Sequence, residues 1–339
     1  MALAIPATPV KRVNAAAVER LHALMSGDMD RVNALILERM QSHIPLIPEL
    51  ASHLIASGGK RLRPLVTLAA ARMCGYEGAF HCHLAATVEF IHTATLLHDD
   101  VVDESAMRRG QATANTVWGN QASVLVGDFL FSRAFQLMVE PGSLDVLRIL
   151  STASAVISEG EVMQLNAARD LVTDETTYMA VIRAKTAALF AAAARVGAVI
   201  ADRPEDEEFA LEAYGADLGI AFQLVDDVLD YTGRRSVLGK NTGDDFREGK
   251  ITLPVVIAYR EGDEEERSFW QRTLCQGVQV ESDFQMARRL LDRHKALDAT
   301  LAEARRYAAR AENALAGFGD NVYRDALVEL AIFSAERLY

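Results

Sequence analysis

Apolar residues recur at spacings of three and four through Val18 to Met40, Leu84 to Val102, Ala122 to Met138, Val146 to Leu165, Tyr178 to Ile200 and Phe209 to Tyr231. That is the period of a helix with one buried face. No convincing series of alternating apolar and polar positions separates these stretches, so the chain is expected to be all-α, a large antiparallel helical bundle. Breaks fall at Ser57 to Pro64, Gly75 to Gly78, Glu140 to Ser143, Asp170 to Asp174 and Asp202 to Glu205, each carrying Gly, Pro or capping Asp and Ser. Most are short, as connections between packed antiparallel helices are. The exception is Gly233 to Gly249, which is long, glycine-rich and loaded with Arg234, Arg235, Lys240, Asp244 and Asp245. Loops of that length inside helical domains often serve as lids. Gly262 to Val280 is the only plausible boundary for a smaller C-terminal portion. Helical pattern resumes at once after it, so residues 1–339 are expected to form one domain, with residues 1–24 peripheral or partly flexible.

Composition narrows the class. Half of the 339 residues are apolar, enough for a large core. The 35 Lys and Arg stand against 47 Asp and Glu, a net charge of -12, so attraction to nucleic acid or anionic lipid is not expected. Cys74, Cys82 and Cys275 are few, odd in number and without metal-ligand spacing, which fits a reducing cytoplasm. The N-terminal MALAIPATPVKR does not have the form of a cleavable signal. The most membrane-like stretch, Met179 to Ala201, is interrupted by Arg183, Lys185 and Arg195, so no transmembrane segment is expected.

Charge placed inside apolar helices is the chemical signal. In LLHDDVVDESAMRRG, Asp99 and Asp103 stand one turn apart on one face, with Asp100 beside them. Like charges at that spacing cost a helix a few tenths of a kcal/mol, roughly, so a cation should offset them. FQLVDDVLDYTG repeats the arrangement with Asp226, Asp227 and Asp230. If the two helices face one another, six carboxylates surround one cleft. Hard oxygens suit magnesium, which shares its coordination sites with substrate phosphates.

Two anionic substrates in such a cleft also need cations from the protein. GGKRLRP supplies Lys60 and Arg63 behind two glycines, with Pro64 suited to an early helical position. Arg108 and Arg109 follow Asp103 closely. His92, about two turns before Asp99, faces the same way. Lys185 with Thr186, and Gln223, interrupt apolar helices and need partners there.

At these residues the chain resembles the trans-type polyprenyl diphosphate synthases, most closely their long-chain octaprenyl, solanesyl and decaprenyl members. The resemblance runs from about Met25 to the C-terminus. It is carried by GGKRLRP, EFIHTATLLHDDVVDESAMRRG, GNQASVLVGDFLFSRAFQLM, EGEVMQL, KTAALF, FQLVDDVLDY and GKNTGDDFREGKITLP. It implies a homodimer with a deep central cavity, in which isopentenyl diphosphate is added repeatedly, head to tail, to an allylic diphosphate such as farnesyl or geranyl diphosphate.

The resemblance makes Asp99, Asp103 and Asp226 the magnesium ligands, with Asp100, Asp227 and Asp230 in support and about three ions when substrate is bound. It gives Lys60, Arg63, His92 and Arg109 to isopentenyl diphosphate. Arg108, Lys185, Lys240 and Lys250 fall to the allylic diphosphate, with Thr186 and Gln223 near the developing carbocation. The loop around Lys240 becomes the natural lid. Product length is expected to depend on the small residues one turn below Asp99, Ala94 and Thr95, where resembling short-chain enzymes carry a bulky aromatic. Helices of about 20 residues span about 30 Å, which permits a product of about C40 to C50, such as the side chain of a respiratory quinone. Ala106 stands where long-chain relatives often carry Asp, and the terminal AERLY has only Arg337 as a basic residue. A terpene cyclase would need no second diphosphate site, and a noncatalytic partner subunit ought to have lost metal ligands. A calcium-binding helical protein would need a glycine-containing loop of EF-hand spacing.

Overall fold

The computed structural model describes residues 10–56, 59–168, 170–232 and 243–337. The chain opens with α1 (Val10–Leu24), α2 (Ser26–Arg39), α3 (Leu46–Ala56) and α4 (Leu62–Met73), followed by α5 (Phe80–Val102). A small hairpin, β1 (Met107–Arg108) with β2 (Gln111–Ala112), leads through α6 (Ala114–Trp118) to α7 (Asn120–Val139) and α8 (Leu144–Ala167). A π turn over Arg183–Ala187 joins α9 (Glu175–Ile182) to α10 (Ala188–Ile200), and the 28-residue α11 (Glu205–Thr232) comes next. The remainder is α12 (Asp244–Glu248), α13 (Leu253–Glu261), α14 (Glu264–Trp270) running into a π turn over Gln271–Cys275, α15 (Asp283–Arg293), α16 (Ala296–Ala314) and α17 (Val322–Glu336).

Turn chemistry falls where the sequence puts it. Ser143 Oγ accepts the Val146 N–H to start α8, and Asp174 accepts the Thr177 N–H at 2.8 Å to start α9. The run from Val18 to Met40 is divided at Met25, and Tyr178 to Ile200 is interrupted by its π turn. The hairpin is too short to give a readable alternation. Its turn is made by Arg109 and Gly110, both with positive φ (52° and 79°), the geometry that matches the twist of a two-residue hairpin.

α5 lies along α7 and α4, while α10 is held between α4, α8 and α11. α11 can lie close on α10 because Gly215 has no side chain: a Cβ there would stand 2.2 Å from the Phe190 carbonyl oxygen. The largest core runs through Leu65, Leu84, Ile91, Leu130 and Leu150, and a second cluster gathers around Leu224 and Val228. Gly262 to Val280 contributes Trp270, fully buried in a third cluster with Leu274 and Leu291. α1 packs on α17 with Leu21 fully buried. Among the described residues α7 is long and apolar enough to cross a membrane; here it packs along α5 and leaves Val124, Leu125, Phe135 and Val139 exposed.

Candidate active site

The ends of α5 and α11 open onto a cavity of about 1760 Å³. Polar groups ring it at that end, and Leu96, Phe131, Ile157, Leu165, Val181 and Phe222 line it elsewhere. Of the six clustered aspartates, Asp99, Asp103, Asp226 and Asp227 line this cavity. Asp100 and Asp230 do not stand around the cleft as expected. Asp100 is buried against the hairpin, where Arg108 meets it through Nε at 2.9 Å and Nη2 at 2.7 Å. Adjacent residues on a helix point about 100° apart, so Asp99 and Asp100 cannot face the same way. Asp230, fully buried, accepts the Asp245 N–H at 3.1 Å and holds the start of α12 beneath the site.

Each cavity-lining aspartate of the three expected metal ligands meets a protein cation. Lys185 Nζ is 3.6 Å from Asp99, Lys250 Nζ is 3.0 Å from Asp103, and Arg337 is 3.7 Å from Asp226. Burial pushes the Asp99 carboxyl up, against the pull of Lys185, with Asp103 adding to the rise. Lys250 is driven well above the usual lysine range: burial works against its charge, but Asp245, Asp103 and Glu248 outweigh it. Carboxylates gathered on one cavity, all with hard oxygens, fit magnesium. By contrast, the buried Asp28, His81 and Cys82 lie close enough to hold a metal, but Asp28 is already paired with Arg72, Arg31 and His81, which leaves no call for a further cation.

The π turn projects Lys185 and Thr186 into the cavity. Such turns are rare and frequently sit at functional sites. Thr186 Oγ1 donates to Gln223 Oε1 at 3.0 Å, and Gln223 Nε2 donates to Asp227 at 2.8 Å. Asp227 also accepts from the buried Tyr178 hydroxyl at 2.5 Å. Burial, then Asp245, pushes the Asp227 carboxyl up to about 8, with the Tyr178 and Gln223 hydrogen bonds opposing the rise. The polar residues that interrupt apolar helices thus satisfy one another in one chain of hydrogen bonds.

A second group of cations lines the same cavity. Arg63 lies over the Phe190 ring at 4.3 Å and donates to His92 Nε2 at 3.2 Å. A guanidinium cannot accept, so Nε2 is the bare nitrogen of a neutral imidazole and Nδ1 carries its proton. Burial and the arginines 63, 109, 108 and 61 hold His92 well below the usual histidine range. Burial likewise lowers Lys60, brings Arg63 to about 10, and lowers Arg109. Three cations and a neutral imidazole thus line one cavity, a set of donors suited to an anion.

Some expected positions lie elsewhere. Thr95 lines the cavity, whereas Ala94 is fully buried in the core and does not. Lys240, with most of the loop expected to act as a lid, falls outside the described residues; Asp245, Glu248 and Lys250 at its end line the cavity. Glu161, Tyr178 and Arg337 were not singled out from sequence as site residues. Arg337 stacks on Phe222, 3.8 Å from the ring centre, and hydrogen-bonds the Phe222 carbonyl.

Comparison with known proteins decides the family. The family model for Polyprenyl synthetase matches residues 44–291. The chain belongs to the polyprenyl synthetase family. It is a prenyltransferase with the all-α fold of those enzymes. Octaprenyl diphosphate synthase of Haemophilus influenzae is 45% identical over 97% of this chain and 100% of its own length. That of Escherichia coli is 46% identical over 94% and 99%. Among solved structures, a decaprenyl diphosphate synthase from Rhodobacter capsulatus superposes with a TM-score of 0.91 at 56% identity, covering 95% of this chain and 99% of that one. A polyprenyl synthase from Caulobacter crescentus, solved with calcium and isoprenyl diphosphate, gives 0.92 at 55% identity, covering 94% and 98%.

Proposed function

We propose that the protein is a magnesium-dependent synthase of long all-trans polyprenyl diphosphates, of about C40 to C50 if the apolar cavity is filled along helices of about 30 Å. It extends farnesyl or geranyl diphosphate with isopentenyl diphosphate, for the side chain of a respiratory quinone. The observation that carries this reading is that two sets of basic residues and four of the clustered aspartates line one cavity. A terpene cyclase has no use for the second set. Relatives named octaprenyl and decaprenyl diphosphate synthases support the long product.

Magnesium held by Asp99, Asp103 and Asp226 would neutralise charge on the departing diphosphate. Lys185, Lys250 and Arg108 hold that diphosphate and take up the charge it gains as the allylic C–O bond breaks. The electron pair leaves with the diphosphate. Lys60, Arg63, His92 and Arg109 orient isopentenyl diphosphate so that its double bond forms the new C–C bond to the allylic carbon. The Thr186 and Gln223 dipoles stand beside the developing cation. Loss of a proton to the released diphosphate restores a double bond, and the apolar part of the wall keeps away water that would quench the cation.

The enzyme acts as a homodimer in the cytoplasm. The outward face of α7, with Leu125 66% and Val139 59% exposed, is the apolar surface a second copy covers.

Equilibrium binding tests the two-site reading. An allylic thiolodiphosphate with magnesium and isopentenyl diphosphate should bind together, and Arg63→Gln should weaken only the second. Mutually exclusive binding would refute it.

A further inference from the structure

Glu161 lines this cavity, and the proposed chemistry leaves it without a task. It sits on α8, and its Oε2 is 2.7 Å from Lys185 Nζ, while Asp99 lies 3.6 Å from the same nitrogen. The contact is built into the backbone. A Cβ on Gly160 would stand 2.8 Å from both the Ala184 Cβ and the Lys185 nitrogen, so α8 meets the π turn main chain to main chain there. This brings the residue after Gly160 opposite the residue after Ala184. Burial pushes the Glu161 carboxyl up, with Asp99 adding to it and Lys185 opposing it, so the three groups form one electrostatic unit.

Lys185 thus has two carboxylate partners, and it stands nearer to Glu161. An ammonium has three donors, and its position follows the balance of its acceptors. Were Glu161 uncharged, the attraction of Asp99 would go unopposed, and the lysine would compete with a divalent ion for Asp99.

We propose that Glu161 is a positioning residue that holds the Lys185 ammonium off Asp99, leaving Asp99 to the divalent cation and turning the lysine toward the allylic diphosphate. This rests on the proposed function and deepens it: metal affinity is set partly by a carboxylate that touches no metal. Groups of this kind typically change metal affinity or activity by 10- to 100-fold, roughly.

The test compares wild type, Glu161→Gln, Lys185→Met and the double variant. Manganese binding in the presence of inorganic diphosphate is followed by electron paramagnetic resonance, with melting temperature as a check on folding. Glu161→Gln should weaken manganese binding about 10- to 100-fold in the wild-type background and change it less than about twofold once Lys185 is Met. In turnover, the same substitution should raise KM for the allylic diphosphate and leave KM for isopentenyl diphosphate unchanged. Equal losses in both backgrounds would mean that Glu161 acts by its own charge, and would overturn the proposal. So would no loss in either background while the wild type binds. Failure of the wild type itself to bind manganese with diphosphate would instead strike at the proposed function.

Discussion

Arg337, at the C-terminal end of the last helix, reaches back across 111 positions to stand beside Asp226, 3.7 Å from its carboxylate and stacked on Phe222. It also stands near enough to Lys60 to lower that lysine's proton affinity, after burial itself. Arg337 therefore joins Lys60 to the second aspartate cluster.

Arg337→Gln should raise KM for isopentenyl diphosphate by roughly tenfold, the worth of one charge-assisted hydrogen bond, with a smaller effect on the allylic substrate. Steady-state kinetics with each substrate varied in turn checks this. An equal rise for both would place Arg337 on the metal side of the cavity.

Removing a metal-facing carboxylate should act on turnover. Asp103→Asn replaces one hard oxygen with an amide nitrogen and removes the charge that Lys250 meets at 3.0 Å. The expected fall in kcat is at least about a hundredfold, partly recovered by raising magnesium. Rates measured across a magnesium titration decide it.

Two neighbours on α5 should behave differently when enlarged. Thr95 lines the cavity, so Thr95→Tyr should shorten the product with little change in melting temperature. Ala94 is fully buried in the core, so Ala94→Tyr should overpack it and cost about 1–3 kcal/mol of stability. Product sizing beside thermal unfolding separates the two.

A buried cluster far from the cavity governs acid stability. Burial alone would raise the Asp28 carboxyl, but hydrogen bonds from Arg72, Arg31 and His81 outweigh it and hold it well below the usual carboxylate range. Its stabilisation is fully present above about pH 4 and is lost as pH falls through its folded value. His81 is lowered by burial, with Asp28 opposing, so the folded state favours neutral imidazole; that contribution is present above about pH 6.5 and declines below it. Stability should therefore start to fall below about pH 6.5 and fall further below about pH 4. Asp28→Asn should cost about 3 kcal/mol near neutrality, the low end for a broken buried pair because Arg31 is half exposed, and should flatten the steeper acid limb. Urea unfolding across pH 3 to 8 measures both.

Much of this was legible in the chain. Helical period marked the bundle, and aspartates at one-turn spacing at the ends of apolar helices marked the two sides of the site, because charge inside an apolar pattern is costly without a purpose. Spacing gives the face of a helix but not what covers it. Hence Asp100 turns to Arg108, and Asp230 to the start of α12, where facing carboxylates were expected. Ala94 was one position off the cavity wall for the same reason. The π turn lies outside a search at a period of 3.6, and Glu161 and Arg337 carry no spacing signal, since their partners are 24 and 111 or more residues away.

The most direct test of the account is the size of the product. Purified protein is incubated with magnesium, farnesyl diphosphate and labelled isopentenyl diphosphate, and the dephosphorylated products are separated by chain length. The account expects a long all-trans polyprenol that disappears when the metal is chelated. Absence of any elongated product, or products that stop after one addition, would contradict it.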